Sequence, residues 1–226
     1  MDSNNTFSSE TFSDLSHDAQ CPHKICSGSG IESKLPHAFI KRMRTDFETT
    51  AEYERFIACY SDAPIRAMRI NTLKISKERF LDLCPWRTKQ SELLNEGLIL
   101  TENPEHIGTH PYHIAGLFYM QEPSAMSVVE AAEIVPGMRV LDLCAAPGGK
   151  SLTLAECMQN QGKLISGEYV ESRVPLLRKA FARCGVTCAE AVQNDAAQLR
   201  SDWGKFDRIL CDVPCSGLGV IAKKPD

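Results

Sequence analysis

The sequence predicts an α/β protein, the first half of a doubly wound parallel sheet preceded by a smaller α/β segment. Three observations predict it. From residue 136 onward, short apolar runs alternate with stretches of helical periodicity, in lengths that suit strand–helix repeats. The first of those runs ends in a glycine turn, "LDLCAAPGGKS" (141–151), where a strand would pass into a helix. The 226 residues are 43% hydrophobic and 24% charged, enough for one large domain or two small ones.

Residues 1–33 are rich in Ser, Asn and Asp, lack periodicity and read as a flexible tail. Residues 35–47 space Phe39, Met43 and Phe47 at helical intervals, and residues 50–60 do the same with Tyr53, Phe56, Ile57 and Tyr60. Residues 65–73 suggest a strand, and 76–83 a short helix capped by Ser76 with Glu78 in its first turn. Residues 84–115 read as loops with weak strands, 116–121 as a strand, and 122–134 as a helix with Pro123 near its start. Beyond "PGMRVLDL", helices are expected at 150–159, at 171–185 (closed by Gly185) and at 196–204. Strands are expected at 162–170, 187–195 and 206–214. Helices should cover both faces of this sheet. The expected domains are 34–110 and 111–226. With four strands where a doubly wound domain has about five to seven, the second reads as truncated.

No apolar run approaches the roughly 18 residues of a membrane span. The polar, acidic start lacks the basic and apolar regions of a secretory signal, so the cytoplasm is the expected compartment. The ten cysteines should then be reduced thiols. Cys21 and Cys26 flank His23, but no second pair stands at zinc-finger spacing, and no metal is expected. The net charge of −4 hides an asymmetry. Residues 34–90 hold twelve Lys/Arg against seven Asp/Glu, a basic stretch able to meet a polyanion or simply to face solvent.

The glycine turn admits three readings. A triphosphate loop needs a glycine where Cys144 stands, and Pro147 removes an amide such a loop would use. "FDRILCD", ending on Asp212, keeps that reading open as a second acidic strand. A turn without a ligand is the bland alternative. The third reading is S-adenosylmethionine, whose methionine tail would lie on the turn and the following helix N-terminus. Its ribose diol wants a carboxylate at the next strand end, and Glu168 stands eighteen residues beyond Lys150, about the spacing for that role. Asp195, ending the third strand, would reach toward the adenine.

"DVPCSGLG" (212–219) places a thiol on the turn after the fourth strand. Carbon 5 of cytosine is a poor nucleophile. A thiolate adding to carbon 6 makes it reactive, so a cysteine facing such a pocket suggests pyrimidine methylation. A buried structural thiol is the alternative. Together the motifs resemble the RNA cytosine-5 methyltransferases of the Nop/Sun type, the RsmB and RsmF group acting on ribosomal RNA. "LDLCAAPGGKS" and "DVPCSGLG" carry the likeness, with "INTLKIS" (70–76) and "HPYHIAGLFYMQEPSAM" (110–126) before them. The resemblance spans residues 34–226 and implies a Rossmann-like, S-adenosylmethionine-dependent core behind an RNA-contacting α/β domain. It implies that Cys144, Ala145, Ala146, Pro147, Gly148, Gly149 and Lys150 form the cofactor loop. Glu168 would hold the ribose, Asp195 the adenine end, and Asp212 would sit between cofactor and base. Cys215 would assist breakdown of the covalent adduct. The family's nucleophile lies in a later Thr-Cys motif, absent from these residues, so this chain alone is expected to be inactive or nearly so. A non-catalytic RNA-binding remnant is the remaining alternative. The implied partner is RNA, with no membrane and no metal.

Overall fold

A computed structural model of the chain describes residues 29–62, 64–215, 217 and 221. Most of the expected tail, including Cys21, His23 and Cys26, lies outside the described residues. Its last residues, Ser29–Glu32, form a short helix, α1. The described residues fall into two compact units, 29–62 with 221, and 64–217.

In the first unit the two expected amphipathic helices form as α2 (His37–Asp46) and α3 (Thr50–Ala58). Thr49 and Glu52 close a reciprocal capping box at the start of α3. The core is Leu35, Phe39, Ile40, Tyr53, Ile57 and Ile221. Tyr53 Oη donates to Glu32 Oε1 at 2.5 Å, and Arg44 pairs with the other oxygen at 2.9 Å.

The second unit holds two four-stranded sheets. The first is antiparallel and is built from β1 (Ala67–Ile70), β2 (Thr88–Gln90), β3 (Gly97–Leu100) and β4 (Phe118–Met120), in the order β2-β3-β1-β4. It therefore extends past residue 110, to Met120. The helix α4 (Lys77–Leu83), capped by Ser76 as expected, contributes Phe80 to a core with Met68, Ile70, Leu98, Leu100, Ile107 and Phe118. Every residue of β1 is buried. Met68 and Ile70 face that core, while Ala67 packs on the opposite side with Leu94 and Met126. Arg69 shares the second face by the two-residue period of a strand.

Past the one-turn helix α5 (Pro111–Ile114) and α6 (Pro123–Glu130) comes the parallel sheet. Its strands are β5 (Arg139–Asp142), β6 (Lys163–Glu168), β7 (Ala189–Gln193) and β8 (Arg208–Leu210), in the order β7-β6-β5-β8. The chain steps outward from β5 to β7, then returns to the other side of β5. Strand order thus reverses at β5, where open α/β sheets gather ligands. On one face α7 (Gly149–Cys157) and α8 (Val174–Cys184) pack together through Leu152, Val174, Leu177 and Phe181. Gly185 ends α8 with φ 77°, the left-handed closure the sequence predicts.

The other face departs from expectation. No α-helix forms at 196–204. A single 3₁₀ turn, Ser201–Trp203, and the loop around it cover Leu141, Leu143 and Ile165 with Trp203 and Phe206. Asp195 opens a turn, its Oδ1 accepting the Ala197 N–H at 2.9 Å and its carbonyl the Gln198 N–H at 2.9 Å. Within 196–204 only Ala196 and Trp203 pack on the sheet and Leu199 stays exposed, too small an apolar face to fix a helix. Within the described sheet β8 is an edge, and its Ile209 is 55% exposed.

The "INTLKIS" stretch ties the two layers. Asn71 Nδ2 donates to the carbonyls of Gly116 (2.7 Å) and Cys184 (2.8 Å), and Lys74 Nζ to those of Ala115 (2.7 Å) and Arg183 (2.6 Å). The end of α8 is thus closed from outside by an amide and a cation, which suit its unpaired carbonyls. Gly116 sits in this contact with φ 72°, and a Cβ there would lie 2.1 Å from the Arg183 oxygen. Asn71→Ala strands two buried carbonyls at once. It is expected to cost about 2–3 kcal/mol, read as a lowered urea midpoint with unchanged slope.

Candidate functional site

The loops after β5, β6, β7 and β8 all emerge at one edge of the parallel sheet. Asp142, the last residue of β5, is fully buried opposite Ser166 of β6 and Leu210 of β8. Ser151 Oγ donates to Asp142 Oδ2 at 2.6 Å, and Ser166 Oγ donates to Ser151 Oγ at 3.0 Å. The second oxygen, Oδ1, is buried without a well-formed hydrogen bond among the described residues. Burial pushes the Asp142 carboxyl up to about 6, against the Ser151 hydroxyl, the Cys144 backbone N–H and Lys150. An orphaned carboxylate oxygen at a strand end is a vacancy for a donor, because leaving it unpaired costs free energy.

The turn from Cys144 to Gly148 joins β5 to α7. Gly148 adopts φ 114°, a conformation most side chains resist, and it caps a nine-residue helix. Cys144 and Ala146 are partly buried, Ala145 is buried and Pro147 is exposed. A triphosphate cradle does not form here. The Ala145 N–H is already spent on Gly167 O at 2.9 Å, the Leu143 N–H on Leu210 O at 3.0 Å, and Pro147 has none. Lys150, which would meet phosphates in such a loop, is engaged by Asp212 at 2.6 Å.

Glu168 ends β6 and is buried. Its Oε1 accepts the Val170 N–H at 2.8 Å, and Arg173 lies 3.5 Å from Oε2. These contacts fix the carboxylate's direction and leave acceptor capacity on both oxygens. Arg173 also reaches the Ala146 carbonyl at 3.3 Å, linking the Glu168 loop to the glycine turn. Asp195 follows β7, partly buried, beside Asn194, whose N–H donates to the Glu168 carbonyl at 3.0 Å. The loop after β8 carries Asp212 and Cys215, both exposed. The Gly217 N–H points at the Cys215 sulfur, 3.4 Å away.

The expected site residues therefore stand on the loops after β5, β7 and β8, at the end of β6 for Glu168, or in the first turn of α7 for Gly149 and Lys150. Direct contacts join Lys150 with Asp212, and Glu168 with the turn through Arg173. No hydrogen bond or ion pair joins Asp195 or Cys215 to the other expected site residues among the described contacts. Sequence reasoning passed over Asp142, Ser151, Ser166 and Asn194 as site residues. The available signal was an aspartate inside the apolar run "RVLDL", where a charge needs a reason. The donor set fits S-adenosylmethionine: two buried carboxylates for a cationic, diol-bearing ligand, and a helix N-terminus for its carboxylate. Among the described residues no cluster of His, Cys, Asp and Glu suits a metal ion, and no helix is long and apolar enough to cross a membrane.

Known proteins supply the family. Residues 35–123 match the N-terminal domain of 16S rRNA methyltransferase RsmF, and residues 130–226 match 16S rRNA methyltransferase RsmB/F. Ribosomal RNA small subunit methyltransferase F of Serratia proteamaculans is 38% identical over 200 residues, covering 85% of this chain and 42% of that protein. Its Escherichia coli namesake is 36% identical over 201 residues, with the same coverage. The chain thus spans less than half the length of these relatives. A methyltransferase homologue from Pyrococcus horikoshii superposes with a TM-score of 0.69 at 33% identity, over 75% of this chain and 56% of that one. The adjoining matches, on a Rossmann-like sheet with this donor edge, show that the chain belongs to the RsmB/F family of 16S rRNA methyltransferases.

Proposed function

We propose that this chain carries the donor site and one active-site thiol of an S-adenosylmethionine-dependent RNA cytosine-5 methyltransferase acting on ribosomal RNA. One observation carries the reading: Glu168, the orphaned Asp142 oxygen and the Lys150–Asp212 pair converge on one sheet edge, and that pair holds the Cys215 loop against the glycine turn. S-adenosylmethionine, when bound, supplies an electrophilic methyl group on a sulfonium centre. The chain's own groups bind and orient. Glu168 accepts hydrogen bonds from the ribose hydroxyls, Asp142 Oδ1 accepts from the ammonium, and the first turn of α7 faces the carboxylate. Asp195 serves the adenine end. Asp212 stands between donor and base, and Cys215, open to solvent, assists release of the base adduct.

RNA is the partner this reading assigns. Some of the basic residues at 34–90 are already committed: Arg69 is buried, Lys74 closes α8, and Arg42 and Arg44 pair with acids. Lys41, Arg55, Arg79, Arg87 and Lys89 are exposed and available to phosphates. We take the RNA-contacting segment, expected at 34–110, to run on to Met120, where β4 completes its sheet, with the methyltransferase domain after it. The eight described cysteines are all free thiols, which suits a reducing compartment such as the cytoplasm.

Calorimetry with S-adenosylmethionine and with Mg-ATP tests the reading. The chain is expected to bind the first and not the second, and Glu168→Ala to weaken binding by about tenfold or more. Saturable Mg-ATP binding alone, or RNA cross-linking with no donor affinity, overturns it. A second expectation follows from Asp142. Its carboxyl is raised from 3.8 to about 6 in the folded chain. Below about pH 4 it is protonated folded and unfolded alike, and above about pH 6 the folded state carries a buried charge. Stability relative to Asp142→Asn should therefore fall by about 3 kcal/mol as pH rises from 4 through 6, measured by urea unfolding at each pH. A flat difference across that window refutes it.

A further inference from the structure

We propose that Arg69 of β1 is a positioning residue for the donor turn, so that the antiparallel sheet forms the back wall of the cofactor site; this rests on the donor reading above. Arg69 is 1% exposed, and its guanidinium spans α7. Nε and Nη2 grip Glu156 at 3.0 and 2.8 Å, while Nη1 donates to the Gly149 carbonyl at 3.1 Å and to Thr153 Oγ1. Gly149, Thr153 and Glu156 stand at i, i+4 and i+7, one face of the helix. The contact that matters is Gly149, which follows the last residue of the glycine turn and is the first of α7. Its carbonyl also accepts from Thr153 Oγ1 at 3.0 Å.

Neighbouring side chains of the same sheet converge on the same turn. Tyr119 of β4 donates its hydroxyl to the Pro147 carbonyl at 3.5 Å. Gln121, just past β4, accepts from Arg69 Nη1 at 2.5 Å and donates to Ala125 O of α6 at 3.1 Å. A Cβ on Gly149 would lie 3.2 Å from the Tyr119 ring and 3.5 Å from Gln121 Nε2, so the turn rests on this wall without a gap. A structural requirement alone does not explain an arginine here, because well-packed apolar side chains serve as well as a buried ion pair or better. What an apolar pair cannot do is hold the Gly149 carbonyl, and with it the direction of the first-turn N–H groups.

The test separates these roles in the full chain. The double variant Arg69→Met/Glu156→Leu replaces the ion pair with apolar volume. It is expected to keep or raise the unfolding midpoint, to bind S-adenosylmethionine about tenfold more weakly by calorimetry, and to exchange its ligand-free amides at 149–152 faster. Thr153→Val, nearly isosteric, removes one hydroxyl from the network and is expected to weaken binding about threefold. It serves if the double variant does not fold. A folded variant with wild-type affinity and unchanged exchange at 149–152 overturns the proposal. If wild type itself binds no donor, the cofactor reading fails. The exchange rates still decide whether Arg69 orders the turn.

Discussion

A buried guanidinium joins the antiparallel sheet of the second unit to the helix behind the glycine turn. Arg69 stands on the antiparallel sheet and Glu156 on the helix that follows the glycine turn, 87 residues apart in sequence. Burial raises the Glu156 carboxyl, and the bidentate arginine pulls it back toward ionisation. Such a pair is poor adhesive in net terms, because desolvating two charges offsets most of their attraction. It is demanding in geometry, however. Removing one partner alone strands the other in an apolar setting. The surrounding apolar clusters supply the bulk of the stabilisation.

The site follows from the strand order of the parallel sheet. Strand order reverses at β5, so the loops after β5 and β8 lie side by side although 60-odd residues separate them. Lys150 and Asp212 meet there, while Arg173 draws the β6 loop toward the turn. The acidic groups left facing the edge, with one oxygen of Asp142 unpaired beneath them, give it a local charge suited to a cation.

Much of this was legible in the sequence, for reasons that can be named. Helices α2, α3 and α8 announced themselves by apolar spacing, and Gly185 and Ser76 marked ends that the backbone indeed uses. The place of Glu168 at the end of β6 follows from its distance from the turn, because a strand–helix–strand repeat has a nearly fixed length. What escaped was long-range. Arginine in a short strand reads as a solvent-facing residue until its partner is known, so Arg69 gave no local signal. The roles of Asn71 and Lys74 depend on helix α8, more than 100 residues downstream. At 196–204 a short helix is expected, but only Ala196 and Trp203 reach the sheet and Leu199 stays exposed, so no apolar face fixes one. Asp142, inside the apolar run "RVLDL", reads locally as strand, since burial is a property of the assembled sheet.

The three-residue strand β8 leaves the described sheet with an apolar border. Ile209 is 55% exposed there and Val213, just past the strand, 57%. Both side chains are of the kind a neighbouring element buries when it extends a parallel sheet, so this border is where the described sheet would accept its next partner.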